Sequence, residues 1–190
     1  MDDKTIHELI QKKHVEDSIR QEFEGTLADR VDRYMQVKPH IIIPNEHFAA
    51  PSAQCSLLFR DGHFYGCIAL TQAVAEALAR FFCEVNFGRH DDVLEKNVEK
   101  LYRRGFISDK VKKALFEIWH DRDVYHHLNH NIETNRQLLE ELARKKLSLL
   151  TEVESVIFEF KIINGELLPK HPKYWKAIDN KFQVYLRLEP

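Results

Sequence analysis

The stretch that most constrains the fold is the apolar run that begins after Asp61-Gly62 and ends before Gly88. Its apolar residues recur every three or four positions, which is the spacing of one face of an α-helix. From Phe64 onward the run is rich in Ala and Leu and apolar around much of its circumference, which is typical of a helix surrounded by other elements. The sequence therefore predicts a central helix up to residue 87, preceded by a helical piece from residue 52 that Asp61-Gly62 interrupts.

The same periodicity predicts four further helices, and residues with known cap preferences set their expected ends. The first covers residues 5–36, with Thr5 and Glu8 as a capping box, a kink at Gly25 and a stop before Pro39. The others begin at Asp91 or Asp92 and end near Gly105; begin at Ser108 and end at Trp119; and begin at Thr134 or Asn131 and end at Asn164-Gly165.

Two segments depart from this helical pattern. The segment at residues 40–51 is expected to be a loop or edge strand, in which three isoleucines at residues 41–43 form a short extended piece. In the tail, Phe182, Val184, Leu186 and Leu188 alternate with polar residues, which predicts a strand. This strand is expected to pair either with the isoleucine piece or with a partner chain.

The length of 190 residues fits one domain. We expect a single all-α domain with a core at about residues 52–162, an N-terminal helix within residues 1–38 and a C-terminal extension over residues 166–190.

Composition narrows the classes of function. A formal net charge of −2 argues against a broad nucleic-acid-coating surface, although a local basic site stays open. Three cysteines without a CxxC pair fit a reducing compartment in which the thiols are buried. No apolar leader is visible at the N-terminus and no apolar run approaches about 18 residues, so we expect a cytoplasmic protein without a membrane span.

Residues 119–130, here called the polar cluster, are the window richest in groups that move protons or hold phosphate. The polar cluster contains four histidines and an arginine flanked by two aspartates. Asp123 and His127 are four residues apart and share one helical face, where the carboxylate can fix the imidazole tautomer. Arg122 and His127 lie about 140° apart on a continuous helix. They converge only if the helix starts or breaks there, or if a second subunit supplies its own copies.

Three interpretations of the polar cluster are open. An arginine fork, a histidine and an orienting aspartate suffice for RNA cleavage without a metal, with the ribose 2′-hydroxyl as nucleophile. Alternatively, His126, His127 and His130 hold a metal ion, although no His-Glu-x-x-His pattern and no nearby cysteine support that idea. The third interpretation is a solvated corner between helices whose charges pair locally.

Residues 122–127, which read RDVYHH, resemble the signature of the HEPN superfamily. These small α-helical domains occur in prokaryotic toxin–antitoxin and other nucleic-acid conflict systems. Their motif is an arginine, a polar residue directly after it, and a histidine separated from the arginine by four to six residues, which selects His127. The run over residues 64–82 also resembles the family helix that follows a Gly-x-aromatic turn and carries an inward glutamate, here Glu76.

The resemblance covers about residues 52–162 and implies an antiparallel four-helix bundle and a two-fold homodimer whose groove receives both motifs. It implies a ribonuclease that needs no metal and no cofactor, acting as a toxin with an antitoxin protein as partner or in another defence system. The implied catalytic residues are Arg122, Asp123 and His127, and the secondary site candidates are Tyr125, His126 and Glu76. A non-catalytic dimeric module that binds RNA or protein is the alternative.

Each candidate residue outside the polar cluster has either a functional role or a purely structural one. Glu76 is either a carboxylate on the narrow polar stripe of the central helix or a buried partner for an arginine. Basic residues upstream of the polar cluster either line an RNA path or form a solvated helix face. These residues are Arg103, Arg104, Lys110, Lys112 and Lys113.

Overall fold

The computed structural model describes residues 3–37, 42–44, 46–179 and 181–186. Helices dominate this part of the chain, which confirms the prediction of a mainly α-helical protein. The α-helices are α1 (Asp3–Gln36), α2 (Glu46–Arg60), α3 (Phe64–Phe87), α4 (Leu94–Arg103), α5 (Asp109–Trp119), α6 (Arg122–His126) and α7 (Arg136–Ile157).

The central position of α3 is confirmed. This helix packs against α2, α4, α5, α6 and α7, and side chains such as Ile68, Leu78 and Phe82 are almost fully buried. The chain breaks between α2 and α3 at Gly62 (φ 78°), and α3 ends at Gly88 (φ 69°), as the sequence predicts. All three cysteines are buried and free, again as predicted.

By length and composition alone, α3 could cross a membrane, which differs from the expectation that no apolar run is long enough. However, 56% of its most apolar 18-residue window is buried inside the protein. Packing against five other helices accounts for this apolar composition.

Predicted helix starts are right for α5 and wrong for α7. Ser108 caps α5, because its Oγ accepts the Val111 N–H at 3.3 Å. The N-cap of α7 is Asn135, whose side chain accepts the N–H groups of residues 137 and 138. Neither Thr134 nor Asn131 takes that position.

The predicted start of α4 is also wrong. The N-cap of α4 is Val93, which makes no side-chain cap. Asp91 nevertheless accepts the Val93 N–H at 3.0 Å. Asp91 therefore orders the turn before α4 and does not cap the helix itself.

The N-terminal helix is longer and more regular than predicted. Because α1 is helical from Asp3, the capping box of Thr5 and Glu8 does not start it. Gly25 does not interrupt α1 either, and open space surrounds it. The predicted stop before Pro39 is confirmed, since α1 ends at Gln36. Residues 46–51 are the first turns of α2, although they were expected to be loop or edge strand.

Short strands form three antiparallel pairs in the described residues: β1 (Ile42–Ile43) with β6 (Tyr185–Leu186), β2 (Phe160–Ile163) with β3 (Glu166–Pro169), and β4 (Ala177–Ile178) with β5 (Lys181–Phe182). In the first pair, Ile42 lies opposite Leu186. The tail therefore pairs with the isoleucine piece of its own chain. Ile41 and Leu188, also predicted to be extended, lie outside the described residues.

Asn164-Gly165 does not end the last helix, which stops at Ile157. Both residues have positive φ values, 54° and 82°, and they form the two-residue turn between β2 and β3. Asn-Gly is the pair that a type I′ hairpin turn favours, because both of its central residues need φ above zero. The prediction of a helix stop at this dipeptide was wrong.

The C-terminal extension packs onto the helical core. A 3-10 turn at Pro172–Tyr174 buries the Tyr174 ring 5.0 Å from the ring of Phe82 on α3. The next residue, Trp175, lies against Phe160 at 5.8 Å between ring centroids. These contacts attach the tail to the same apolar core that holds the helices.

Candidate functional site at the corner between α5 and α6

The polar cluster folds as a corner in which a new helix begins. His120 caps the end of α5, and Asp121 then adopts a left-handed conformation with φ 59°. The Asp121 carbonyl accepts the N–H groups of Val124 and Tyr125, so α6 starts at Arg122. Arg122 is therefore the first residue of α6 and His127 its C-cap, so the two belong to one short helical run.

The far end of α6 is closed by a Schellman-type turn. Leu128 is left-handed with φ 49°, and the Asn129 N–H donates to the Val124 carbonyl at 3.1 Å. The Asn129 side chain also donates to the Asp123 carbonyl at 3.3 Å. Both ends of this five-residue helix are thus fixed by backbone turns, and His127 lies at its C-cap.

The three residues predicted to be catalytic meet at one carboxylate oxygen. Arg122 Nη1 lies 2.9 Å from Asp123 Oδ1, and His127 Nε2 lies 4.0 Å from the same atom. The His127 side chain is 63% exposed and that of Arg122 is 32% exposed. An anion that approaches from solvent can therefore reach both side chains where the Asp123 carboxylate now lies.

The Arg122 guanidinium is anchored on its inner side. Its Cζ lies over the Trp119 ring at 5.3 Å from the centroid, a cation–π contact with the end of α5. Its Nε is buried and has no hydrogen-bond partner in the part of the chain that the structure describes. The contact with Trp119 holds the inner side of the guanidinium, while Nη1 donates to Asp123.

His126 and His127 are adjacent in sequence but lie in different surroundings. Burial and then the charge of Arg122 lower the pKa of His126 below its ordinary value, against smaller opposing effects of the Ala69 backbone and Glu76. At neutral pH His126 is therefore a neutral imidazole, and its Nε2 is buried without a hydrogen-bond partner among the described residues. His126 faces the protein, whereas His127 faces solvent.

One stripe of α3 faces this corner, at residues 65, 69, 72 and 76, with spacings of four, three and four. The Tyr65 ring lies 6.5 Å from that of Tyr125, and Gln72 Nε2 donates to the His120 carbonyl at 3.1 Å. Tyr65 also donates its hydroxyl to the Glu133 carbonyl at 2.7 Å. The secondary candidate Tyr125 is thus a buried packing partner of α3.

Glu76 belongs to this stripe and forms an ion pair with Arg80 at 2.6 Å. Its side chain is only 18% exposed. The interpretation of Glu76 as a partner for an arginine therefore fits better than that of a solvated carboxylate. The charge of Glu76 opposes the pKa shift of His126.

Lys146 on α7 is a buried residue of this corner that the sequence analysis did not identify. Its Nζ donates to the carbonyls of Glu117 (3.1 Å), Ile118 (2.8 Å) and His120 (2.8 Å). These carbonyls end α5 and have no further helical N–H to accept. Burial lowers the pKa of Lys146 to about 8, so the three-donor ammonium form still prevails at neutral pH. Together with Gln72, Lys146 fixes the direction in which the chain leaves α5.

A sequence signal for Lys146 does exist. The buried stripe of α7 follows alternating steps of four and three residues. Lys146 lies within this stripe, between Ala143 and Leu150. The other members are Leu139 and Val153. A lysine at a core position of a helix needs buried acceptors, since burial of an unpaired cation is costly.

The basic residues proposed to line an RNA path are placed on α4, α5 and the turn between them. Lys112 is the least exposed: it pairs with Glu99 at 2.6 Å and lies over the Tyr102 ring at 4.4 Å. Arg103 lies 3.8 Å from the same glutamate. Lys110 and Lys113 pair with Glu152 and Asp109, and Arg104 is exposed. Their role in RNA binding stays a prediction.

His126, His127 and His130 do not form a metal-binding group, and the described ranges hold no set of three His, Cys, Asp or Glu side chains placed to bind one. No family model, no curated protein and no solved structure matches the chain. The resemblance to the HEPN superfamily stays a prediction that rests on the motif, and any assignment of function rests on the geometry of this corner.

Proposed function

We propose that this protein is a HEPN-like endoribonuclease that needs no metal, acting in the cytoplasm as a toxin or in another defence system. The observation that supports this proposal best is the shared oxygen of Asp123, which lies 2.9 Å from Arg122 Nη1 and 4.0 Å from His127 Nε2. Arginine and histidine that meet at one anionic atom provide a site for one phosphate oxygen.

In the proposed reaction the ribose 2′-oxygen attacks phosphorus and the 5′-oxygen leaves. The products are a 2′,3′-cyclic phosphate and a 5′-hydroxyl. Arg122 holds the charge that builds up on the non-bridging oxygens. His127 takes the proton from the 2′-hydroxyl or returns one to the leaving oxygen. Asp123 orients both side chains before the phosphate displaces it from Arg122.

The architecture in this proposal is an antiparallel four-helix bundle of α2, α3, α5 and α7, assembled as a two-fold homodimer. A single imidazole cannot act as base and acid on opposite sides of one phosphorus at the same time. A second copy of His127 across a shared groove supplies the other role. Accessibility of the motif supports this arrangement, since His127 is exposed in the single chain.

The alternative is a non-catalytic dimeric module that binds RNA or protein, such as an antitoxin. The pairing of the nearby lysines favours this alternative. Lys110, Lys112 and Lys113 each lie within 2.7 Å of a carboxylate, which leaves little free positive charge for a phosphate backbone. A protein partner with mixed charges does not require such a basic path.

The test is cleavage of mixed RNA in EDTA by the full chain, compared with Arg122→Ala and His127→Ala. His130→Ala is the matched control, because His130 is an exposed histidine of the same cluster outside the motif. We expect cleavage by wild type and His130→Ala only, with cyclic phosphate ends and no cleavage of 2′-O-methyl RNA. Binding without cleavage supports the module, and activity that EDTA removes and zinc restores supports a metal enzyme.

A further inference from the structure

The N-terminal helix α1 carries a row of large apolar side chains that the described part of the chain leaves exposed. Each is between 40% and 61% exposed. The row consists of Ile6, Leu9, Ile10, Val15, Ile19, Phe23, Leu27 and Val31. Six of them, at residues 6, 9, 10, 23, 27 and 31, share one face of the helix. Single exposed apolar residues are common, but several on one helix face mark an interaction surface.

Among the described residues, polar contacts fix the C-terminal turns of α1 to the body of the protein. Arg30 Nη1 pairs with Asp61 at 3.3 Å, and Arg33 Nε donates to the Arg60 carbonyl at 3.1 Å. Arg33 and Val37 are buried there. With 34 residues, α1 is about 51 Å long. Most of its length therefore extends away from this attachment with its apolar side chains uncovered.

A groove lies where α1 leaves the body. It has a volume of about 400 Å³ and is lined by Phe23, Leu27, Arg30, Val31, Tyr34 and Arg60. Four of these residues are apolar or aromatic, and all except Arg60 belong to α1. The groove is suited to apolar side chains of an incoming helix.

Charged residues interrupt the apolar face of α1 at its middle. Lys13, Glu16 and Arg20 occur with steps of three and four between the apolar turns on either side. Within the chain, Lys13 pairs with Glu16 and Asp17, and Arg20 pairs with Glu16. Their order restricts how a second copy of α1 can pack. In a parallel, in-register pair each of them would face its own copy, and like charges would repel.

In an antiparallel pair centred between Ser18 and Ile19, opposite charges face each other. Lys13 then lies opposite Glu24, and Asp17 lies opposite Arg20. The apolar turns match in the same register, since Ile6 falls opposite Val31 and Ile10 falls opposite Leu27. The register follows from the sequence positions alone, and it brings the first turns of one α1 to the groove of the other.

We propose that α1 is a dimerisation helix that pairs antiparallel with α1 of a second copy of this chain. The Ile6 and Ile10 side chains of each copy fill the groove of the other, and the central charged residues set the register and direction. This interface is separate from the dimer contact proposed at the motif, and it does not depend on the ribonuclease assignment.

The first experiment measures the molar mass of the full chain by sedimentation equilibrium. Ile10→Glu is expected at half the molar mass of wild type: two 22.5 kDa chains against four where the motif contact also joins copies, and one chain against two where it does not. Ile162→Glu is the matched control, because Ile162 is a similarly exposed isoleucine on β2, and it should keep the mass of wild type. Circular dichroism verifies that α1 remains helical. A wild type of single-chain mass, or an Ile10→Glu variant with the mass of wild type, would overturn the proposal.

Charge reversal tests the register. Lys13→Glu and Glu24→Lys should each weaken the dimer, and the double variant should regain at least part of the affinity. The double variant does not restore the pairs of Lys13 with Glu16 and Asp17 inside one helix. Recovery is therefore a property of contacts between copies. A double variant that is no tighter than the weaker single variant contradicts the register.

Cross-linking tests the direction. Copies that carry Ile6→Cys are mixed with copies that carry Val31→Cys, and disulfides are formed under mild oxidation. The native cysteines are buried and do not compete. Antiparallel pairing predicts disulfides between residues 6 and 31 of different copies. Predominant cross-links between two copies of residue 6 would instead show parallel pairing and overturn the proposal.

Discussion

At the residue scale, the corner depends on side chains that the chemistry itself does not use. Lys146 and Gln72 both donate to the carbonyl of His120, the last residue before the left-handed Asp121. Donors on two different helices therefore fix the same backbone atom. The position of Arg122 at the start of α6 is therefore set by residues of the protein core and not by the exposed motif.

Replacement of Lys146 by Met should lower the free energy of unfolding by about 2–4 kcal/mol, because the carbonyls of Glu117 and Ile118 lose this donor and that of His120 keeps only Gln72. Urea denaturation measures the change. Lys145→Met is the matched control: Lys145 is largely exposed and pairs with Glu117 at the surface, so its loss should cost about 1 kcal/mol at most. Equal effects of the two variants would contradict the role of Lys146.

His126 should contribute to the loss of stability in acid. Burial and Arg122 lower the pKa of this histidine in the folded protein, so the unfolded chain binds its proton more readily. Its contribution is fully present above the unfolded pKa of about 6.5 and declines as pH falls through the lower folded value. The pKa of His171 is lowered by burial as well, and it adds to the same trend.

We therefore expect His126→Asn to reduce the loss of stability between about pH 7.5 and pH 5, the range around the ordinary histidine pKa, measured by urea denaturation at each pH. His130→Asn is the control that should keep the wild-type slope, since His130 is exposed. An unchanged slope in His126→Asn would show that the burial of this imidazole does not control its protonation.

At the element scale, helix interiors could be predicted from the sequence more reliably than helix ends. The apolar period of α3 follows from packing on five neighbours, and it is visible without knowledge of them. Ends depend on local competition between caps: Thr134, Asn131 and Asn135 are all acceptable N-caps, and the structure uses Asn135. Asn164-Gly165 shows a different error, because a helix stop and a hairpin turn both use left-handed residues.

Alanine substitutions at two glycines test the effect of backbone conformation without a change in packing. Gly88 is left-handed and ends α3, whereas Gly25 lies within α1, and a methyl group added at either position would meet no atom within 4 Å. Gly88→Ala should lower the free energy of unfolding by about 1 kcal/mol or more, from the cost of a left-handed L-residue.

Gly25→Ala should raise helicity, and it should raise the free energy of unfolding by up to about 1 kcal/mol. Circular dichroism and thermal unfolding measure both, and destabilisation by Gly25→Ala would contradict a continuous α1.

At the scale of the whole molecule, the sequence predicted the helical class and the pairing of the tail with residues 42–43 as one of two alternatives. It could not predict that residues 122 and 127 converge, because this depends on the conformations of two long side chains that both reach Asp123 Oδ1. Side-chain conformations at an exposed site leave no pattern in sequence. The exposed face of α1 was equally hidden, since apolar periodicity looks the same on a buried helix and on a helix without a cover.

Pairing of α1 predicts that thermal stability depends on protein concentration. If the dimer forms only in the folded state, the Tm should rise between about 1 and 100 μM protein by mass action. Differential scanning fluorimetry measures this rise. The Tm of Ile10→Glu should rise less over the same range, and a Tm of wild type that is independent of concentration would argue against folded-state dimerisation.

The most direct test of the proposed activity is the single-turnover rate of RNA cleavage in EDTA for wild type and His127→Ala. Removal of a general acid–base group is expected to slow cleavage by about 100-fold or more, with His130→Ala unchanged. Wild-type cleavage that leaves 2′,3′-cyclic phosphate ends and depends on His127 in this way is the predicted result. Equal rates for wild type and His127→Ala would contradict the account.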